Sequence, residues 1–300
     1  MSNRLQGRVA LVTGAGNGCG KAIALQMASE GASVVVNDLG TGVQGEGRDT
    51  SAADGVVAQI HEAGGKAVAS YDSIAEPDGC KRAVAKAVDT FGACDIVVAN
   101  AGALMKAGML GIRSDDESWQ RLVDLYLGQK FWLTREALPA MLERGWGRVI
   151  FATSEIARGT QHNPLGAVVL AGGLAMSRDL ANTHGNSGVT FNCFAPGAAT
   201  RTFDYYLALA QGGHLGTSVS PEEMAKNRLP GPEFVAPMVT WLCTEAAAQV
   251  TGEVFSLSGG NISRWNRLED VASLVKADVG GSALWTLDEL DKLVPRHLFS

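Results

Sequence analysis

Thr13 to Gly20 reads TGAGNGCG, and the chemistry such a stretch supports is the holding of a phosphate. It follows the apolar run RVALVTG and opens a helical segment. Backbone bare of side chains at Gly14, Gly18 and Gly20, with Asn17 and Cys19 between them, lets amides approach a pyrophosphate at a helix N-terminus. A purely structural glycine turn is the competing reading. At the end of the next apolar run, VVVNDLG places Asp38 where a carboxylate reaches both ribose hydroxyls of a dinucleotide and repels a 2′-phosphate. Leu39 follows, so no adjacent arginine welcomes that phosphate. Arg48, further on, weakens this preference, and an aspartate capping a loop is the bland alternative. Together the two features favour NAD over NADP.

The elements around these residues alternate between short β-branched runs and helical segments. RVALVTG precedes a helix over 21–30, ASVVVND one over 51–63, KAVASYD one over 78–91, and DIVVANAG a long one over 114–143. GRVIFATS, a helix around 172–184 within the segment 161–181 and beyond, VTFNCFAPG, a helix near 232–245 and GEVFSLSGG follow. Such alternation predicts an α/β fold, parallel strands joined by crossover helices in one doubly wound domain over 1–263. Residues 40–50, rich in glycine, read as an inserted and mobile surface loop. Residues 198–230 read as a lid with Phe203, Tyr205, Tyr206 and Leu207. Residues 264–300 form a C-terminal extension whose Trp265, Trp285, Leu287, Leu290, Leu293 and Phe299 suit packing on the domain or on a neighbour.

With 300 residues, 46% of them hydrophobic, the chain can bury a full core. A formal net charge of -6 offers no general attraction to nucleic acid or to anionic membranes. The five cysteines, Cys19, Cys80, Cys94, Cys193 and Cys243, are scattered, without the close pairs of a metal knuckle or a disulfide framework. They read as reduced thiols, and no metal site is expected. No signal segment and no membrane span is evident, so a cytoplasmic protein with a small-molecule ligand is expected.

TGAGNGCG, Asp38, YDS with Asp72 and Ser73, ANAG with Asn100, Ala101 and Gly102, GRVIFATS ending in Ser154, and NCFAPG with Pro196 and Gly197 occur in order. On these motifs the chain resembles the short-chain dehydrogenase/reductase family over nearly its whole length. The inserted loop and the tail resemble the longer branch that includes dehydrogenase domains of multifunctional β-oxidation enzymes, which act on 3-hydroxyacyl-CoA thioesters. The resemblance implies a Rossmann fold with a seven-stranded parallel sheet and assembly as dimers or tetramers. It places Asp72 beside the adenine and adds Thr200 to the cofactor contacts. It also implies a catalytic Asn-Ser-Tyr-Lys set, in which serine polarises the substrate oxygen, tyrosine moves the proton, lysine lowers the tyrosine pKa and holds the ribose, and asparagine supports a water path.

Ser154 matches the serine. Counting back from GLAMSRDLA puts tyrosine and lysine at Gly166 and Leu170, and counting forward from Ser154 puts them at Ala167 and Ala171. Neither register holds a phenol or an ammonium, and no tyrosine or lysine lies between Lys130 and Tyr205. The asparagine position, in VDLYLGQKF, is Tyr126. Tyr126 reads as core packing or as a substitute phenol that, without a nearby cation, titrates near ~10. His162 is a second substitute, or a turn residue beside Asn163 and Pro164. Glu155 and Arg158 read as a local ion pair. Loss of a positioned acid removes ~10²–10⁴-fold of rate. Three functions are consistent with this pattern: a catalytically impaired NAD-binding subunit that pairs with an active homologue, an oxidoreductase, lyase or cyclase with a non-standard site, and a ligand sensor.

Overall fold

The structure is a computed structural model that describes residues 3–104, 112, 114–159, 163–212, 220–267, 271–276 and 284–298. It divides into two compact units, residues 1–264 and 265–300.

The first unit is built on one sheet of eight strands: β1 (Val9–Thr13), β2 (Ser33–Asn37), β3 (Lys66–Ser70), β4 (Ile96–Ala99), β5 (Gly147–Ala152), β6 (Val189–Pro196), β7 (Val254–Ser258) and β8 (Asn261–Arg264). They lie in the order β3-β2-β1-β4-β5-β6-β7-β8. β1 to β7 pair in parallel, as expected. β8 is an added antiparallel edge. The chain reverses there through Gly259, at φ +57°, and Gly260, which lets Ser258 pair with Asn261 across a two-residue turn. All five residues of β1 are buried, the pattern of a strand covered on both faces.

Helices α1 (Gly18–Ser29), α2 (Ser51–Glu62) and α3 (Pro77–Phe91) follow the first three strands. The long segment expected over 114–143 is three pieces: α4 (Asp116–Leu122), a π-helical stretch Val123–Gly128, and α5 (Gln129–Arg144). α6 (Pro164–His184) starts with proline in its first turn, and the Asn163 side chain accepts the Gly166 N–H at 2.8 Å. α7 (Arg201–Gln211), α8 (Pro221–Lys226) and α9 (Ala236–Leu242) complete the unit. Alternate residues of the central strands, Ala10, Val12, Val34, Val36, Ile96 and Val98, pack with Ile23 and Met27 of α1 and Val239 and Leu242 of α9. The strand order reverses direction at β1 and β4, the switch point at which α/β sheets open a crevice beyond their strand ends.

In the second unit, α10 (Leu287–His297) begins with a capping box between Thr286 and Glu289, and Lys276 holds Glu289 at 2.7 Å. Phe299 lies outside the described residues.

Candidate cofactor and active site

The crevice at the switch point is a cavity of about 610 Å³. Its floor is the turn from β1 into α1. Gly14, at φ +62°, brings its backbone so near the next strand end that a Cβ would meet the Ala101 Cα at 2.8 Å, and a Cβ on Gly20 would lie 2.1 Å from the Gly14 carbonyl oxygen. Asn100 fastens this turn from β4, its amide donating to Thr13 O at 2.9 Å. A Cβ on Gly16 would meet both Ala52 and the Asp38 carboxylate at 2.8 Å. These glycines are therefore demanded by close backbone approach, which is what a pyrophosphate cradle needs.

Asp38, at the end of β2, is 8% exposed and accepts from the Gly16 and Gly40 N–H groups, each at 2.7 Å. Its carboxylate locks the glycine turn to β2 while lining the cavity. Asp72 pairs with Arg82 at 2.6 Å and accepts from Ser70, and Arg48 donates to the Tyr71 carbonyl at 2.8 Å. Gly14, Asn17, Gly18, Cys19, Gly20, Asp38, Asp72, Ser73, Asn100, Ala101, Gly102, Pro196 and Thr200 all line the one cavity. Gly197 does not. Its N–H pairs with the Leu257 carbonyl at 2.7 Å, and it faces Ser258, because β6 runs into its pairing with β7 there. Cys19 is held as a thiol, pushed up to about 11 by burial.

The inserted loop is not a free excursion. Leu104 donates to Val43 O, Arg121 to Gln44 O and Arg201 to Thr41 O, and Gln44 bonds the Tyr205 phenol, so the loop is tied to both α4 and α7. Thr41 and Gly45 line the cavity as a result. Of the four lid residues, Tyr206 lines it. Tyr205 is engaged by Gln44, and Phe203 lies under the Arg228 guanidinium at 5.4 Å.

Ser154 lines the cavity at the end of β5, where its hydroxyl caps a short 3₁₀ turn by accepting the Ile156 N–H at 3.3 Å. Glu155 and Arg158 form the local ion pair, at 3.0 Å. On α6, Gly166 and Leu170 line the cavity together with Val169, whereas Ala167 and Ala171 are not among its wall residues. The side-chain space at Gly166 is taken by the Asn163 amide, which a Cβ would meet at 2.6 Å. His162 lies outside the described residues.

Tyr126 lies on the π-helical stretch rather than on a regular buried helix. Its phenol donates to the Ala103 carbonyl at 2.7 Å, and burial pushes it up to about 12. It is thus a weaker acid than a substitute phenol titrating near ~10, and its hydroxyl proton is committed to a backbone acceptor. A cation does lie one helical turn away, contrary to the expectation: Lys130, buried and part of the cavity wall, donates to the Tyr126 carbonyl. The ammonium donates to a carbonyl rather than to the phenol, and the cation that acts on the phenol is Arg121, so Tyr126 and Lys130 do not form an acid pair. Gln129 is the other functional side chain that sequence reasoning missed. Fully buried, it accepts from Thr13 Oγ1 at 3.1 Å and donates to Ala101 O at 2.7 Å, binding the glycine turn to the β4 end. The i, i+4 spacing of Tyr126 and Lys130 was a legible signal for at least one of them.

A parallel sheet with a side-chain-free turn at its switch point and a carboxylate after the next strand defines a dinucleotide-binding protein of the Rossmann type. The chain belongs to the short-chain dehydrogenase family, matching that family over residues 8–204. It is 38% identical over 267 residues to a short-chain type dehydrogenase/reductase of Mycobacterium tuberculosis, covering 87% of this chain and 85% of that one. It is 38% identical over 275 residues to the peroxisomal multifunctional enzyme type 2 of Mus musculus, covering 88% of this chain and 34% of that enzyme. The chain therefore spans about a third of the mouse protein. Among solved structures it superposes on a 7α-hydroxysteroid dehydrogenase complexed with NADH and 7-oxo glycochenodeoxycholic acid, with TM-score 0.72 and 29% identity, covering 86% of this chain and 96% of that one. Among the described residues no helix is long and apolar enough to cross a membrane, and no three His, Cys, Asp or Glu side chains are grouped to hold a metal.

Proposed function

We propose that this chain binds NAD(H) in the switch-point cavity and serves as a catalytically impaired subunit of a dehydrogenase, completed by an intact homologous subunit. The observation that carries this reading is the cavity wall of α6. Gly166 and Leu170 stand on it where the family resemblance puts the proton-transferring phenol and its lysine. Ser154 can still donate to a substrate oxygen, but the Tyr126 phenol, raised to about 12 and bonded to the Ala103 carbonyl, stays protonated at neutral pH and cannot serve as the base that takes an alcohol's proton. A bound nicotinamide supplies hydride chemistry; the chain's own residues hold the dinucleotide and orient a substrate. Phe131 of α5 and Val168 of α6, 51% and 56% exposed, offer apolar surface for association with a like subunit.

Two ligand classes suit the cavity, a 3-hydroxyacyl-CoA thioester and a polycyclic alcohol. The resemblance to dehydrogenase domains of multifunctional β-oxidation enzymes supports the first and the bile-acid complex the second. The experiment is purification from the native host with partners retained. The complex and the separated chain are then assayed with NAD, a panel of 3-hydroxyacyl thioesters and a panel of polycyclic alcohols. Turnover in the complex and loss of at least ~10²-fold on separation are expected. Equal turnover by the separated chain, with no stable partner, would sink the reading.

The preference for NAD over NADP rests on Asp38, since a carboxylate at that point repels a 2′-phosphate. Fluorescence titration is expected to give wild-type affinity at least ~10-fold higher for NADH than for NADPH, a gap of about 1.4 kcal/mol, and to show the gap narrowing in Asp38→Asn. Equal wild-type affinities would contradict the assignment.

A further inference from the structure

Among the described residues Lys130 is the one buried lysine, 2% exposed, and no carboxylate lies within ion-pair distance of it. Its place is built by two departures from regular structure. The π-helical stretch draws the Gln129 N–H back to Asp124 O, five residues before it, and loosens the ordinary helical pairing of the neighbouring carbonyls. The Lys130 ammonium occupies one of these, Tyr126 O. Across from it, α6 has Gly173, where a Cβ would lie 2.8 Å from Cδ and 3.0 Å from Cε of the lysine. Any side chain at 173 would displace the stem. A leucine or methionine would fill the same space without the desolvation of a charge, which costs several kcal/mol. The amine is nevertheless kept, and it lines the cavity that holds the cofactor cradle, one turn of α6 beyond Leu170.

We infer that Lys130, reaching from α5 toward the α6 helix whose own lysine position is Leu170, is the cation that positions the nicotinamide-side ribose of the bound dinucleotide. The inference rests on the NAD(H)-binding half of the proposed function. It gives the pocket a positioning residue on the opposite wall and explains how the cradle remains useful without the α6 lysine. The titratable group facing the amine is the Cys193 thiol of β6, with Arg178 of α6 acting on that thiol; the Tyr126 phenol, one turn earlier on the lysine's own segment, is bonded to the Ala103 carbonyl. The thiol is raised to about 11 and the phenol to about 12, so neither changes charge in the neutral range. Burial lowers Lys130 to about 8. The cation is therefore present below that pH and lost above it.

The test is NADH fluorescence titration from pH 6.5 to 9.5 on the full chain, wild type against Lys130→Met and Lys130→Gln, with circular dichroism to verify folding. Wild-type affinity is expected to fall ~10-fold as the pH rises through about 8, the loss of one charge-assisted hydrogen bond. Both variants are expected to bind ~10-fold more weakly than wild type at pH 7 and without that step. Variants that bind as wild type does, or that bind more weakly but retain the pH step, would overturn the assignment while leaving NADH binding itself intact. No saturable NADH binding by the wild type at any pH would overturn both it and the cofactor reading beneath it.

Discussion

Lys130→Met is expected to stabilise the folded protein by about 3 kcal/mol at pH 7, although it weakens cofactor binding. Burial moves the ammonium from the ordinary lysine value of 10.5 to about 8, and that displacement is the free energy by which the fold disfavours the charge. Below about pH 8 the lysine is charged in both folded and unfolded chains, and the full penalty applies. Between about 8 and 10.5 the folded chain has released the proton while the unfolded chain still binds it, so wild-type stability rises with pH across that window. The advantage of methionine, similar in volume and without charge, therefore shrinks over the same window. Urea unfolding at pH 7 and pH 9.5 checks this. A variant less stable than wild type at pH 7 would show that the amine's hydrogen bond to Tyr126 O outweighs its desolvation.

Gly20→Ala is the second large effect. The new methyl would sit 2.1 Å from the Gly14 carbonyl oxygen and 2.6 Å from the Asn100 amide nitrogen, so the glycine turn must separate from the β4 end. Overpacking of this kind costs about 1–3 kcal/mol in stability. A cradle displaced by several tenths of an ångström is expected to bind NADH ~100-fold more weakly, a loss of about 2.7 kcal/mol. Gly55→Ala serves as the control. Gly55 lies inside α2 with open space at its Cβ, so alanine there should add roughly 0.5–1 kcal/mol of stability and leave NADH affinity unchanged. Wild-type affinity in Gly20→Ala would mean that the turn is not the dinucleotide floor.

The central parallel strands β1, β2 and β4 were legible because each is a short, buried run rich in β-branched residues, and the glycine turn because its strand-then-helix context restricts what such a sequence can do. Asp38 was legible for the same positional reason, although its two bonds to the Gly16 and Gly40 amides were not. β8 escaped because Asn261–Arg264 is exposed at every residue and carries no apolar alternation; backbone pairing after a two-glycine turn makes the strand. Lys130 and Gln129 escaped for a different reason. Hydrophobic periodicity marks polar residues as outward-facing, and the π-helical stretch, which periodicity does not show, supplies a carbonyl to each of these two side chains as they turn inward, with Thr13 and Ala101 completing the partners of Gln129. At Gly166 the sequence reported a missing phenol. The structure adds that the Asn163 amide, which caps the helix, occupies the space beside Gly166.

The claim at the centre is that this chain holds the dinucleotide but lacks its own means of moving the proton. The direct measurement takes the purified isolated chain, titrates it with NADH, and follows absorbance at saturating cofactor with the 3-oxoacyl and polycyclic ketone partners of the proposed substrates. Saturable binding is predicted, with cofactor oxidation at least ~10²-fold slower than in an intact short-chain dehydrogenase assayed alongside. Oxidation by the isolated chain at the rate of the intact enzyme would contradict the account.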